Sequence, residues 1–250
     1  MAERLWGPGH IGPGGDTFNY RLISPLALDP AMTVMDFAAG LGGLTRLMAK
    51  EFGVYVEGRE ASIDLAEAAR ARSVLAGLGR KAGVAPVDPD NAEFRPNRFD
   101  RIVAREILHQ VSDKKKLFRS LSLAMKKRGQ LMLTDFMLAK PGEIGPEVSA
   151  WIDQERKPSH PWSIEEFKAA ANEVQFQIFI CEDQSDEFER LILDGWSRFQ
   201  EGIKTDPLPA DLVPLVWDEA ERWARCMAAL RSGGLRYYRI VGTTHIAHGG

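Results

Sequence analysis

The sequence predicts an α/β protein built on a doubly wound, mostly parallel, seven-stranded sheet. Between Thr33 and Phe136, short apolar runs alternate with longer segments in which apolar residues recur every three or four positions. This alternation is typical of a parallel sheet covered by helices. A turn of small residues and glycines follows the first apolar run, as in sheets that bind nucleotides at their carboxyl edge.

Seven segments are predicted strands. In chain order they are TVMDFA, GVYVEG, AGVAPVD, FDRIVAR, GQLMLTDF, FQIFICED and LRYYRIVGT. Three predicted helices separate the early strands, namely LTRLMAKEF, IDLAEAARARSVLAGLG and KKLFRSLSLAMKKRG. The last two strands are expected to close the sheet as a hairpin-like pair whose final strand is antiparallel. A helical insertion at about 185–232 lies between them.

We expect a single domain over residues 1–250 with three parts. Residues 1–32 form an N-terminal segment, 33–136 form the nucleotide-binding core, and 137–250 form a second half that contains the insertion. The stretch SIEEFKAAANEV in this half begins with the Ser-x-x-Glu pattern of a capping box, which predicts a helix start. PGEIGP and KPSHPW have loop composition.

Composition favours a small-molecule ligand. The 32 basic and 35 acidic residues give a net charge of -3, so neither nucleic acid nor a membrane surface is an expected partner. Cys181 and Cys226 lie far apart, without zinc-ligand spacing, and no metal site is expected. A reduced, cytoplasmic protein is expected, because no signal pattern or apolar run of about 20 residues is present.

The turn VMDFAAGLGG admits two nucleotide cofactors. A dinucleotide loop has the pattern GxGxxG, but its first position here is Ala38, followed by Gly40 and Gly43. An S-adenosylmethionine loop has an acid near the end of the strand and small residues at alternate positions. Asp36, Ala38, Gly40 and Gly42 fit that second register.

Asp36 distinguishes the two readings. A carboxylate late in an apolar strand is costly to bury unless it is paired, and the ammonium group of S-adenosylmethionine offers a partner, directly or through water. The alternative is that Asp36 caps a backbone turn.

Two further acids follow strands where this cofactor needs acceptors. Glu60, after the second strand, is predicted to accept hydrogen bonds from the ribose hydroxyls, although it could instead begin a cap for the helix at Ile63. Asp88, after the third strand, is predicted to accept from the adenine amino group. Asp90 is its rival, and the composition DPDN also suits a surface turn.

These motifs resemble the class I S-adenosylmethionine-dependent methyltransferases, whose Rossmann-like fold the resemblance implies. VMDFAAGLGG is similar to their first motif, NRFDRIVAREILHQV to their fourth-strand motif and RGQLMLTDF to their fifth strand. ERLWGPGHIGPGG, AREILHQVSDKKKLF, WIDQERKPSHPWSIEEF and DGWSRFQ most resemble the phosphoethanolamine methyltransferases. The sarcosine and dimethylglycine methyltransferases are similar more distantly.

The resemblance implies that residues 1–32 form a lid over the cofactor, which Ile11 and Gly12 would border. It also implies that Arg105 approaches the carboxylate of the cofactor. Three departures weaken phosphoethanolamine as the substrate. Ala2 stands where the family has a catalytic tyrosine, the partner histidine of that tyrosine falls on Gln110, and the tyrosine that touches the phosphate is missing from ERKPSHPW.

Candidate catalytic residues follow the fourth strand. His109 is the first choice for a general base, because an unperturbed imidazole titrates near neutral pH. The alternative is a structural histidine that bonds a loop carbonyl. Glu106 could orient the methyl acceptor, or cap the following helix.

The candidate acceptor-binding residues are histidines and aromatic residues, because aromatic faces hold cations. They are Trp6, His10, Tyr20, His160 and Trp162. His245 and His248 are expected to have no role.

The leading functional prediction is S-adenosylmethionine-dependent methylation of a small molecule, with an amine preferred and S-adenosylhomocysteine as the product. Methylation of oxygen or carbon on a lipid-like or aromatic metabolite is an alternative, and a non-catalytic cofactor-binding protein is another. Monomer and homodimer both remain open.

Overall fold

A computed structural model describes residues 1–244, so the expectation for His245 and His248 lies outside the described residues. The strands are β1 Thr33–Phe37, β2 Tyr55–Glu60, β3 Ala82–Pro86, β4 Phe99–Arg105, β5 Met125–Leu138, β6 Phe176–Asp183 and β7 Leu235–Thr244. The helices are α1 Ala2–Trp6, α2 Gly15–Ile23, α3 Gly43–Glu51, α4 Ile63–Leu75, α5 Lys114–Ala124, α6 Pro146–Gln154, α7 Ile164–Glu173, α8 Ser185–Thr205 and α9 Val213–Arg231.

The described strands form one seven-stranded sheet in the order β3-β2-β1-β4-β5-β7-β6. Strands β1 to β5 pair in parallel, and β7 lies antiparallel between β5 and β6. The fold class predicted from the sequence is confirmed. The order of the strands reverses between β1 and β4, and ligands of open α/β sheets bind at the carboxyl edge beside such a reversal.

The boundary between α5 and β5 differs from the prediction. The segment MKKRG continues the amphipathic pattern of α5, yet α5 ends at Ala124 and β5 begins at Met125. The last carbonyls of the helix are bonded by the chain entering β4, since the Asn97 and Arg98 amides donate to Leu123 and Ala124 at 3.1 and 2.8 Å. The chain then crosses a register shift between β4 and β5.

A second difference is α6, which lies between the two segments that were predicted as loops. Its first turn contains Pro146, a residue suited to that position because a helix start needs no amide donor there. Val148 and Trp151 are fully buried on its inner face. Tertiary burial therefore stabilises a helix of only 9 residues.

The N-terminal segment packs onto the core rather than extending from it. Leu5 and Trp6 of α1 and Phe18 of α2 are buried in the main hydrophobic cluster. Glu3 anchors the segment to α4 through an ion pair with Arg72 at 2.5 Å. Within residues 1–244, no helix is long and apolar enough to cross a membrane.

The contact of α1 with α8 predicts opposite effects for two glycines of one helix. A methyl group at Gly195 would overlap the indole ring of Trp6, whereas Gly202 has open space around it. We expect Gly195→Ala to lower the free energy of unfolding by about 1–3 kcal/mol through overpacking. Gly202→Ala, the matched control, is expected to raise it by about 0.5–1 kcal/mol through helix propensity. Chemical denaturation measures both, and equal effects of the two variants would contradict this packing.

Candidate functional site

A cavity of about 660 Å³ lies at the carboxyl edge of the sheet, a size typical of small-molecule sites. One end is formed by the turn after β1, the end of β2 and the N-terminal segment. The other end is formed by the loop after β4 together with α6, α8 and α9. We call these the loop end and the acceptor end.

At the loop end, the glycine turn brings the backbone close to the N-terminal segment. Ala38, Gly40 and Gly42 have positive φ angles of 68°, 54° and 74°. The Gly43 amide donates to the Gly9 carbonyl at 3.0 Å, and a Cβ at Gly43 would lie 2.6 Å from that oxygen. Glycine at this position therefore permits the close approach.

The predicted cofactor residues of the turn divide into two groups. Asp36, Ala38 and Gly40 line the cavity, whereas Gly42 precedes α3 as its N-cap and acts through the shape of the turn. The side chain of Ile11 reaches over Gly40, and Gly12 lines the same wall.

Asp36 is buried at the end of β1, and its carboxylate accepts a hydrogen bond of 2.6 Å from the Thr45 hydroxyl of α3. Burial raises the pKa of Asp36 to about 6, with Thr45 opposing that shift. The carboxylate is therefore mostly ionised at neutral pH, and a ligand cation beside it would relieve the cost of its burial.

Glu60 spans the turn and the end of β2. Its two carboxylate oxygens accept from the Gly40 amide at 2.8 Å and from the Ser62 amide at 2.9 Å. The capping alternative thus holds in part, because Ser62 is the N-cap of α4. Each carboxylate oxygen can accept a second bond, which leaves capacity for two ligand hydroxyls.

Arg105 and Glu106 form a polar network between the two ends. Arg105 donates to the Asn19 side chain and, at 3.2 Å, to Glu106. Glu106 also accepts from the hydroxyls of Thr134, at 3.0 Å, and Tyr237. Its carboxylate is occupied there, so Glu106 is not the predicted helix cap. The buried Nε of Arg105 has no hydrogen-bond partner among residues 1–244.

His109 lies buried at the start of the acceptor end. Its Nδ1 is 2.6 Å from a carboxylate oxygen of Asp135. Burial lowers the pKa of His109, but the charge and hydrogen bond of Asp135 and the nearby charge of Glu155 outweigh this and raise it to about 9. The imidazole is therefore protonated at neutral pH and acts there as a cation. Its backbone carbonyl accepts from the His160 amide at 2.6 Å.

His10 is the one predicted acceptor-binding residue that lines the cavity in the described chain. Its Nε2 is 2.8 Å from a carboxylate oxygen of Asp16. Burial lowers the pKa of His10, with Asp16 opposing that shift. His10 is held by the N-terminal segment and belongs to the loop end.

Four predicted residues lie outside the cavity, and this corrects their assignment. Trp6 is 2% exposed and packs 5.1 Å from the ring of Trp223. Tyr20 is 48% exposed and stacks on Phe52. Trp162 is partly buried and packs against a different hydrophobic cluster from that of Trp6. His160 has an exposed side chain and contributes its backbone amide instead.

Asp88 also lies outside the cavity. Its exposed carboxylate accepts from the Asp90 amide at 3.1 Å and from the Asn91 side chain at 2.8 Å. The surface-turn reading of DPDN therefore describes Asp88. Asp90, its rival, accepts from the amide and hydroxyl of Ser112.

The acceptor end contains residues that sequence reasoning missed. Aromatic and charged side chains form this part of the cavity, namely Phe136, Trp151, Glu155, Phe188, Glu219, Arg222 and Trp223. The detectable signal is the spacing on α9, where positions 219, 222, 223 and 226 share one helix face. Among the described residues, no cluster of three histidine, cysteine or acidic side chains is arranged to hold a metal.

A family model described as a methyltransferase domain matches residues 16–179. The chain belongs to this family, and its predicted class, a class I S-adenosylmethionine-dependent methyltransferase, is confirmed.

Among curated relatives, it is 28% identical over 244 residues to a phosphoethanolamine N-methyltransferase of Triticum aestivum, which covers 96% of this chain and 46% of that protein. It is 25% identical to the Plasmodium falciparum enzyme of the same name, over 77% of this chain and 71% of that one. The chain spans about half the length of the first of these relatives.

Two solved structures illustrate the fold. Haemonchus contortus phosphoethanolamine N-methyltransferase 2, in complex with S-adenosyl-L-methionine, matches with a TM-score of 0.85 and 21% identity over 97% of this chain and 56% of that one. A putative sarcosine dimethylglycine methyltransferase of Galdieria sulphuraria matches with a TM-score of 0.78 and 17% identity over 96% and 94%. These likenesses establish a shared fold.

The raised pKa of His109 predicts a pH-dependent part of the stability. A histidine whose folded pKa of about 9 exceeds its unfolded pKa of about 6.5 contributes stability that is complete below 6.5 and lost as the pH rises through 9. We expect this contribution to be roughly 3 kcal/mol at most, from about 1.4 kcal/mol for each pKa unit.

Chemical denaturation between about pH 6 and pH 10 tests this expectation for the wild type and His109→Gln. The difference between the two free energies of unfolding should shrink across that range. His160→Gln, with an exposed side chain, is the matched control. An unchanged difference for His109→Gln would contradict the proposed pairing with Asp135.

Proposed function

We propose that this chain transfers a methyl group from S-adenosylmethionine to the nitrogen of a small amine. The observation that carries the proposal is the division of one cavity into a glycine-turn end with two acids and an aromatic end with carboxylates. The cofactor supplies an activated methyl group on its sulfonium. The chain then needs mainly to hold donor and acceptor in line.

The loop end has the donors and acceptors that the cofactor requires. Glu60 retains acceptor capacity for the ribose hydroxyls, as its oxygens each accept one backbone amide. Asp36 provides a negative charge for the ammonium group of the methionine part. The unpartnered Nε of Arg105 can donate to the carboxylate of that part.

The acceptor end suits a nitrogen that becomes positively charged on methylation. The ring centroid of Phe136 lies 5.3 Å from that of Trp151 and 5.5 Å from that of Phe188, so three rings enclose this side. Aromatic faces attract an alkylated ammonium, most strongly where water is excluded. Fixed negative charge nearby favours the developing cation in the transition state.

An acceptor that arrives as an ammonium must first lose a proton to solvent, after which the N–C bond forms as the sulfonium C–S bond breaks and S-adenosylhomocysteine leaves. His109 is protonated at neutral pH, since its pKa is about 9, so its imidazole becomes a proton acceptor only as the pH rises toward that value. At neutral pH its role is to hold the loop after β4 through Asp135, which also accepts from the Leu108 amide at 2.5 Å.

Cofactor binding tests the loop end directly. We expect S-adenosylmethionine and S-adenosylhomocysteine to bind the purified chain, and Glu60→Gln to weaken both about tenfold or more, because an amide nitrogen replaces one accepting oxygen. Isothermal titration calorimetry gives the dissociation constants. Glu173→Gln, which alters a half-exposed acid paired with Lys115, is the matched control.

Product analysis separates the functional alternatives. Mass spectrometry of reactions with amines, phenols and carboxylates should show methylated product with amines. Methylation of phenols or carboxylates alone would replace the amine proposal with oxygen methylation. Cofactor binding without any product would support a non-catalytic binding protein.

A further inference from the structure

Glu155 is a buried acid at the acceptor end. Neither cofactor binding at the glycine turn nor the search for a general base gives it a role. It is the C-cap of α6, and its side chain is 8% exposed and lines the cavity. Negative charge at a helix C-terminus is opposed by the helix dipole. Both the burial and the position are therefore unfavourable without a cationic partner.

The two cations that face Glu155 do not form hydrogen bonds with its carboxylate. One carboxylate oxygen is 4.0 Å from the Nε2 of His109, and the other is 4.0 Å from an Nη of Arg222. Both distances exceed a hydrogen bond. Burial raises the pKa of Glu155, but His109, Arg222 and the neighbouring indole of Trp151 outweigh it and leave the pKa lowered, so the side chain is ionised at neutral pH.

The neighbouring polar atoms also lack partners. The buried Nε1 of Trp151 and Nε of Arg222 have no hydrogen-bond partner within residues 1–244. Trp151 and Arg222 line the cavity beside Glu155. Buried polar groups are normally satisfied, so three unsatisfied groups together indicate a polar ligand at this place.

Lys157 lines the cavity, and both arginines of the acceptor end are already engaged by Glu219. This buried acid accepts from Arg222 at 3.0 Å, from the indole of Trp223 at 2.9 Å and from Arg156. A phosphate that bound Arg156 or Arg222 would have to displace Glu219 from these donors while lying near Glu155. Repulsion between like charges disfavours that arrangement.

We propose that Glu155 binds the ammonium group of the methyl acceptor and that the acceptor is an amine without a phosphate group. This inference rests on the proposed amine methylation. The ammonium would contact Glu155 against the ring of Trp151, and the Nε of Arg222, which has no partner among the described residues, would bind an oxygen of the same acceptor.

Steady-state kinetics with matched amines test the substrate class. The acceptors are ethanolamine, glycine, sarcosine and phosphoethanolamine, each with saturating S-adenosylmethionine. At least one unphosphorylated amine should exceed phosphoethanolamine in kcat/KM by about tenfold or more, as expected when a hydrogen-bonded charge pair is lost. A preference for phosphoethanolamine would overturn the inference and leave the proposed function intact. No methylation of any amine, with cofactor still bound, would instead remove the proposed function.

Variants of Glu155 test its role as a positioning residue. Glu155→Gln should raise the KM of the preferred amine about tenfold or more and leave the dissociation constant of S-adenosylhomocysteine unchanged. Glu155→Asp, which keeps the charge, should recover part of the loss, and Glu173→Gln is the control. An equal loss of cofactor affinity and melting temperature, without a rise in amine KM, would show a structural role and overturn the inference.

Discussion

The hydrogen bond between the Gly43 amide and the Gly9 carbonyl is the constraint on which the cavity depends. It fixes the N-terminal segment against the glycine turn, and it requires that position 43 has no side chain. From there the segment extends in two directions. Ile11 forms a wall of the loop end, while Trp6 packs against Trp223 of α9 and so supports the acceptor end. One backbone contact thus couples the two halves of the site.

Charge balance is the second organising constraint. Across the acceptor end, Asp135, His109, Glu155, Arg222 and Glu219 alternate in sign and lie in contact or within 4.0 Å of the next member. Such a buried series is stable only when each charge has an opposite neighbour. Arg156 pairs with Glu219 at the end of the series, so its positive and negative charges are equal in number. The place for an acceptor ammonium is beside Glu155, because that carboxylate lies 4.0 Å from each of its two cations.

The sequence predicts those features that depend on segments close together in the chain. The alternation of strands and helices, and the acids Asp36 and Glu60 near the glycine turn, could be assigned because β1, the turn and β2 are consecutive and meet at one edge. Features that depend on distant contacts could not. The end of α5 is set by amides from the chain entering β4, and Trp6 is buried by α8 and α9, which lie some 190 to 220 positions away.

The same difference between local and distant contacts distinguishes the loop end of the cavity from the acceptor end. The loop end draws its binding groups from neighbouring segments, whereas the acceptor end combines the C-terminus of α6 with one face of α9, and the network of Arg105 and Glu106 lies between them. A change at Glu155 alters the charge offered to the acceptor without touching the turn at which we propose that the cofactor binds. Resemblance along the chain is therefore strong evidence for the cofactor and weak evidence for the acceptor, because the acceptor depends on a few side chains that only the folded structure brings together.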